Sequence, residues 1–123
     1  MQHLHYALKL TLLRDESFFG PGVAELLQRT ARCGSLHAAC AEMHMAYSKA
    51  WRVLKKAEAA LGYPLLNGRA GGAGGGHSSV TPEALAFLAR YEAFNTEMQA
   101  AASKAFARHF AHEKGQESPN EAY

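Results

Sequence analysis

Residues 34–69 read GSLHAACAEMHMAYSKAWRVLKKAEAALGYPLLNGR, and the order of signals in this run decides the fold. Gly34 stops a preceding helix, and the Ser35 hydroxyl is suited to cap the next by accepting a backbone N–H bond. That next helix, roughly Leu36–Met43, is short and rich in small residues (Ala38, Ala39, Cys40, Ala41), which let a second helix approach closely. His44-Met45-Ala46 makes a brief turn. A longer helix then runs from Tyr47 to Leu61, with Ala50, Leu54, Ala57 and Leu61 spaced four, three and four on one apolar face. Gly62 ends it, and Tyr63-Pro64-Leu65-Leu66 reads as a short strand.

Upstream, Leu4, Tyr6, Leu8, Leu10 and Leu12 alternate with His3, His5, Lys9 and Thr11, so residues 3–13 predict a half-buried strand. Asp15-Glu16-Ser17 and Gly20-Pro21-Gly22 break the chain. A helix from Pro21 or Gly22 carries Val23, Leu26, Leu27, Thr30 and Ala31 on one stripe. Downstream, residues 68–79 hold six glycines and read as a mobile loop, with Val80 on a returning strand. Thr81-Pro82-Glu83 starts a helix with a capping hydroxyl, a first-turn proline and an acid at the positive end of the dipole. That helix continues to about His112, roughly 46 Å at 1.5 Å per residue. The polar tail, residues 113–123, has the composition of a disordered segment.

Two short helices joined by a three-residue turn and followed by a hairpin describe a winged helix-turn-helix. The expected class is therefore mainly α with a small β component. Residues 1–81 form the winged helix-turn-helix, residues 82–112 a long C-terminal dimerisation helix, and residues 113–123 the tail.

Composition excludes more than it assigns. No apolar run approaches the ~18–20 residues that span a bilayer, and the N-terminus lacks the basic region and cleavage site of a signal peptide, so a cytoplasmic location is expected. The net charge of +2 is small. Residues 1–69, however, hold nine Lys/Arg against five Asp/Glu, whereas residues 70–123 hold four against six. Lys49, Arg52, Lys55, Lys56 and Arg69 cluster with only Glu58 among them, a pattern suited to a phosphate backbone or to a solvated helix face. Cys33 and Cys40 fit neither a zinc site nor a disulfide framework and read as small buried thiols. Seven histidines are scattered, and no metal or cofactor is expected. The glycine loop lacks the lysine of a P-loop and leads back into a strand rather than into a helix, so a nucleotide cradle is disfavoured. No triad or paired-carboxylate site is present, and an enzyme is not expected.

The Gly34–Arg69 run resembles the DNA-binding domain shared by LysR-type and molybdate-responsive ModE regulators. Gly34-Ser35-Leu36, the Ala38-Ala39 pair, Met43, the step from Glu58 to Leu61-Gly62, Pro64-Leu65-Leu66 and Arg69 carry the likeness. Tyr47-Ser48-Lys49-Ala50-Trp51, the glycine-rich loop, Val80-Thr81 and the N-terminal strand leading into Phe19-Gly20-Pro21-Gly22 are closer to the ModE branch. Ala84 departs from a glycine frequent in the family, a change a helix tolerates. The chain is too short for the molybdate-binding module of full ModE regulators, so molybdate sensing is not carried over. The resemblance implies a stand-alone domain that binds double-stranded DNA and regulates transcription.

On the third helix, the face opposite the core offers Tyr47, Ser48, Trp51, Arg52 and Lys55. Tyr47, Ser48, Lys49 and Arg52 lie near the helix N-terminus, where base edges are read. Lys55 and Lys56 are placed to meet phosphates, as is Ser35 at the start of the second helix. Trp51 is either a contact to sugar or a thymine methyl, or a cover over the seam between the third helix and its neighbours. Arg69 and His77 sit on the wing, in reach of the minor groove or backbone. On the last helix, Phe87, Tyr91, Phe94, Met98, Ala101 and Ala105 repeat at the 3.5-residue period of a helix paired along a partner, while Leu85 and Leu88 face the domain body. A homodimer on a palindromic operator follows. The competing reading is a protein interaction module that uses the long helix.

Overall fold

The first folded element is a tight hairpin rather than one long strand. In the computed structural model, which describes residues 3–68 and 78–112, β1 (Leu12–Arg14) pairs antiparallel with β2 (Glu16–Phe19). Asp15 turns the chain at φ 68, a left-handed conformation that Asp and Asn adopt more readily than most residues. The elements that follow are α1 (Pro21–Cys33), α2 (Leu36–Glu42), α3 (Tyr47–Leu61), β3 (Leu66–Asn67), β4 (Ser79–Val80) and α4 (Pro82–Phe110). The class is as expected, mainly helical with two small two-stranded sheets.

Two compact units are defined. One comprises residues 10–91; among the described residues the other comprises 3–9 and 92–112. The core of the first gathers Phe19 from β2, Leu26 and Leu27 from α1, Leu36 and Ala39 from α2, Ala50, Leu54 and Ala57 from α3, Leu65, and Ala84, Leu88 and Tyr91 from α4. Phe19 meets both the Phe87 and Tyr91 rings edge-on at 4.9 and 5.0 Å, and the Tyr91 hydroxyl donates to the Leu10 carbonyl at 2.8 Å. Burial pushes the Tyr91 phenol above its ordinary pKa.

Glycine ends two helices for a definite reason. Gly34 (φ 74) and Gly62 (φ 87) turn left-handed, and their N–H groups close back on Thr30 and Glu58 carbonyls at 2.8 and 2.7 Å. Ser35 caps α2 by accepting the Ala38 N–H at 3.3 Å. Glu42, at the end of α2, ties that helix to α1: it receives Arg29 at 2.8 Å, Arg32, and the Cys33 thiol at 3.3 Å. The Cys33 hydrogen bond, then Arg29, hold its carboxyl below the usual value.

Several sequence expectations are corrected. Residues 3–11 do not form a strand, and β2 was not anticipated. In the second unit the Tyr6 ring packs on Phe106 at 4.9 Å, and Gln99 Nε2 donates to the Leu8 carbonyl at 2.7 Å. A two-residue alternation reports which side of a chain is covered, and here the cover is a helix. On α1 Leu26, Leu27 and Thr30 are buried as expected and Val23 packs against the core, but Ala24 joins them while Ala31 is exposed. Helix α2 ends at Glu42, the strand expected at residues 63–66 forms at Leu66–Asn67, and α4 ends at Phe110. Cys40 is buried, but Cys33 is partly exposed and bonded to Glu42. The expected disordered tail, residues 113–123, lies outside the described residues.

Candidate nucleic-acid interface

Helix α3 is anchored on one side so completely that its other side is left for solvent. Ala50, Leu54 and Ala57 have no exposed surface, which fixes the roll of the helix about its axis. At about 100° per residue the opposite side then presents Ser48, Arg52, Lys55 and Ala59, all exposed, with Lys49 and Lys56 exposed on one flank and Tyr47 and Trp51 half-buried on the other. The turn before α3 pivots on His44 at φ 52, and the Met45 N–H closes on the Cys40 carbonyl at 2.9 Å. The turn places the start of α2 beside the start of α3.

The cations differ in what they touch. Lys49 and Arg52 have no ion-pair partner among the described residues. Lys55 Nζ lies 3.4 Å from Glu58 and 5.4 Å from the centre of the Trp51 ring. Lys56, expected at a phosphate, lies 2.7 Å from Glu16 on β2, and this contact lowers the Glu16 pKa. It braces α3 against the hairpin.

Trp51 packs against the core cluster and also lines a surface concavity of about 550 Å³ with Arg52, Lys55 and Gly68. Its indole N–H is buried and finds no acceptor among the described residues. One part of the ring thus covers the seam while another borders the concavity beside the exposed face of α3. Tyr47 makes an edge contact with Trp51 at 6.2 Å and stacks on His37 of α2 at 3.9 Å with the planes 5° apart.

The wing is set by hydrogen bonds rather than by strand length. Leu66 pairs with Val80 and Asn67 with Ser79. Thr81 N–H donates to the Leu65 carbonyl at 2.9 Å, its hydroxyl donates to the Pro64 carbonyl at 2.9 Å, and the same hydroxyl caps α4 through the Ala84 N–H at 3.1 Å. Glu58 accepts the Leu65 N–H at 2.8 Å, which joins the last turn of α3 to the base of the wing. Sequence reasoning did not single out Glu58 or His37 as site residues, because both act through contacts between elements. Arg69 and His77, expected on the wing, lie outside the described residues.

On α4 the stripe expected to dimerise divides. Tyr91 is buried and Phe87 packs against the core of the first unit, whereas Phe94 is 44% exposed. Met98 and Ala105 are half-buried and Ala101 is exposed. Leu88 faces the core as expected, but Leu85 is exposed. No helix among the described residues is long and apolar enough to cross a membrane.

Three helices with a short turn between the second and third, followed by a two-stranded wing, define a winged helix-turn-helix DNA-binding domain. The model of the bacterial regulatory helix-turn-helix proteins of the lysR family matches residues 23–85, 63 of the 123 residues, and the chain belongs to this family. No curated protein matches it. The family is one of DNA-binding transcriptional regulators and not of enzymes.

Proposed function

We propose that the protein binds specific double-stranded DNA as a homodimer, with α3 in the major groove. The observation that carries this is the roll of α3: with Ala50, Leu54 and Ala57 wholly buried, Ser48 and Arg52 point outward, and Lys49 is exposed on the flank. Ser48, Lys49, Arg52 and the edge of Tyr47 then reach bases, while Lys55 and the Ser35 hydroxyl meet phosphates. Arg69 and His77 are assigned to the flanking backbone or minor groove. Within the family, Tyr47-Ser48-Lys49-Ala50-Trp51 favours the ModE branch.

Reading of DNA rests with residues 1–81 and pairing of subunits with residues 82–112, whose first turns also complete the core. Pairing along Phe94, Met98, Ala101 and Ala105 is supported by their spacing and by the exposure of Phe94. A two-fold dimer selects a palindromic operator. The test is selection from a pool of randomised duplexes, followed by polarisation titrations of the recovered sequence across a salt series. A recovered two-fold motif, bound with an affinity that falls steeply with salt, is the expected result. No motif, and no binding above background at low salt, would overturn the DNA-reading role and favour an interaction module built on the long helix.

A further inference from the structure

Recognition surfaces of this architecture are built on α3, yet here the first aromatic side chain of α3 is held by a residue of α2. His37, in the first turn of α2, is exposed, so its ring has no place in the core. It nevertheless lies parallel to the Tyr47 ring, with centroids 3.9 Å apart and planes 5° from parallel. Tyr47 in turn meets Trp51 edge-on at 6.2 Å, and the Lys55 ammonium lies 5.4 Å from the centre of the Trp51 ring. The four side chains form one continuous row along the flank of the recognition face, crossing the turn that joins the two helices.

We propose that His37 is a positioning residue for sequence recognition: by stacking on Tyr47 it fixes the ring at the start of α3 in the orientation that meets the bases. This rests on the DNA-binding role proposed above. A tyrosine at the first residue of a helix has side-chain freedom that a base contact must otherwise quench on binding. A parallel ring on one side and an edge contact on the other remove that freedom beforehand. The contribution belongs to the stack and not to the imidazole nitrogens, so any flat aromatic ring of similar size at position 37 supplies it. Because His37 is exposed, its loss leaves the core intact.

The experiment uses the full chain and a pool of duplexes with a randomised stretch of about 25 base pairs, enough for two half-sites a helical turn apart. Motifs are recovered for the wild type, His37→Ala, His37→Phe and Tyr47→Ala, and thermal melts accompany each variant. Expected for His37→Ala is an unchanged melting profile, blurring at the same motif positions that Tyr47→Ala blurs, and binding about three- to tenfold weaker to the wild-type motif. His37→Phe restores both motif and affinity. A His37→Ala motif identical to the wild type would overturn the proposal, as would loss in His37→Phe equal to that in His37→Ala, which would assign the ring nitrogens directly to DNA. If the wild type itself recovers no motif, the DNA-reading role falls first and this inference with it.

Discussion

Separate alanine replacements of Arg52 and Lys56 distinguish a cation that faces solvent unpaired from one that the fold already uses. The two residues lie one helical turn apart on α3, and both are exposed. Arg52 has no ion-pair partner among the described residues, whereas Lys56 Nζ is 2.7 Å from Glu16. A guanidinium held bidentate to a guanine edge discriminates by about 1–3 kcal/mol, so Arg52→Ala is expected to weaken the selected duplex by about five- to 150-fold per subunit. An exposed ion pair such as Lys56–Glu16 contributes about 0–1 kcal/mol to stability. Lys56→Ala is therefore expected to change affinity by less than about threefold and the melting profile only slightly. Each phosphate contact adds about 0.9 to the slope of log K against log salt; Lys56→Ala should leave that slope unchanged. Polarisation titrations of the selected duplex across a salt series, with thermal melts alongside, give all three quantities. A tenfold loss in Lys56→Ala, with the slope smaller by about one per subunit, would refute the reasoning by showing that Lys56 abandons Glu16 for DNA. Unchanged affinity in Arg52→Ala would refute the assignment of the reading face.

Leu54→Ala, at a side chain with no exposed surface, should lower the free energy of unfolding by about 2–5 kcal/mol in a denaturant titration; a loss under about 1 kcal/mol would contradict the roll assigned to α3. Phe94→Glu places a charge in the stripe proposed for subunit pairing, so sedimentation should show a shift from dimer to monomer, and an unshifted dimer would reject that stripe. Glu42 has a folded-state pKa below its ordinary value of 4.5, held there by the Cys33 thiol and Arg29. Its contribution is thus present above that value and lost as the pH falls through the folded-state pKa. Acid unfolding of Glu42→Gln should show a shallower pH dependence below about 4.5 than the wild type, and identical pH dependence would remove Glu42 from the account.

Most of the helical frame was legible because its signals are local. The four-three-four spacing from Ala50 to Leu61, glycine at positions 34 and 62, and Thr81-Pro82-Glu83 act within one or two turns of the chain. The hairpin β1–β2 was only half legible: Asp15-Glu16-Ser17 marked the break, but no alternation after it showed that residues 16–19 pair back on β1. The turn at His44-Met45-Ala46 was legible, but not that His44 takes φ 52 to make it. The alternation of residues 3–13 misled for a different reason: Leu12 and Leu13 pair with β2, while Tyr6 spends its apolar ring on Phe106.

The site was legible as a helix face but not as a set of individual charges, because charge depends on partners distant in sequence. Lys56 shows this through Glu16, whereas Lys55 is engaged by neighbours on its own helix. Its ammonium is shared between Glu58 and the Trp51 ring, so it is not idle in the free protein. The other oxygen of Glu58 already accepts the Leu65 N–H, at 2.8 Å. On the DNA-binding role proposed above, a Lys55 that turned toward a phosphate would leave the carboxylate its Leu65 N–H donor, and the link between α3 and the wing would survive. Lys55 is the exposed end of this pair, whereas Glu58 is largely covered. In the proposed complex Lys55 can thus leave Glu58 for a phosphate while Glu58 still braces the wing through the Leu65 N–H.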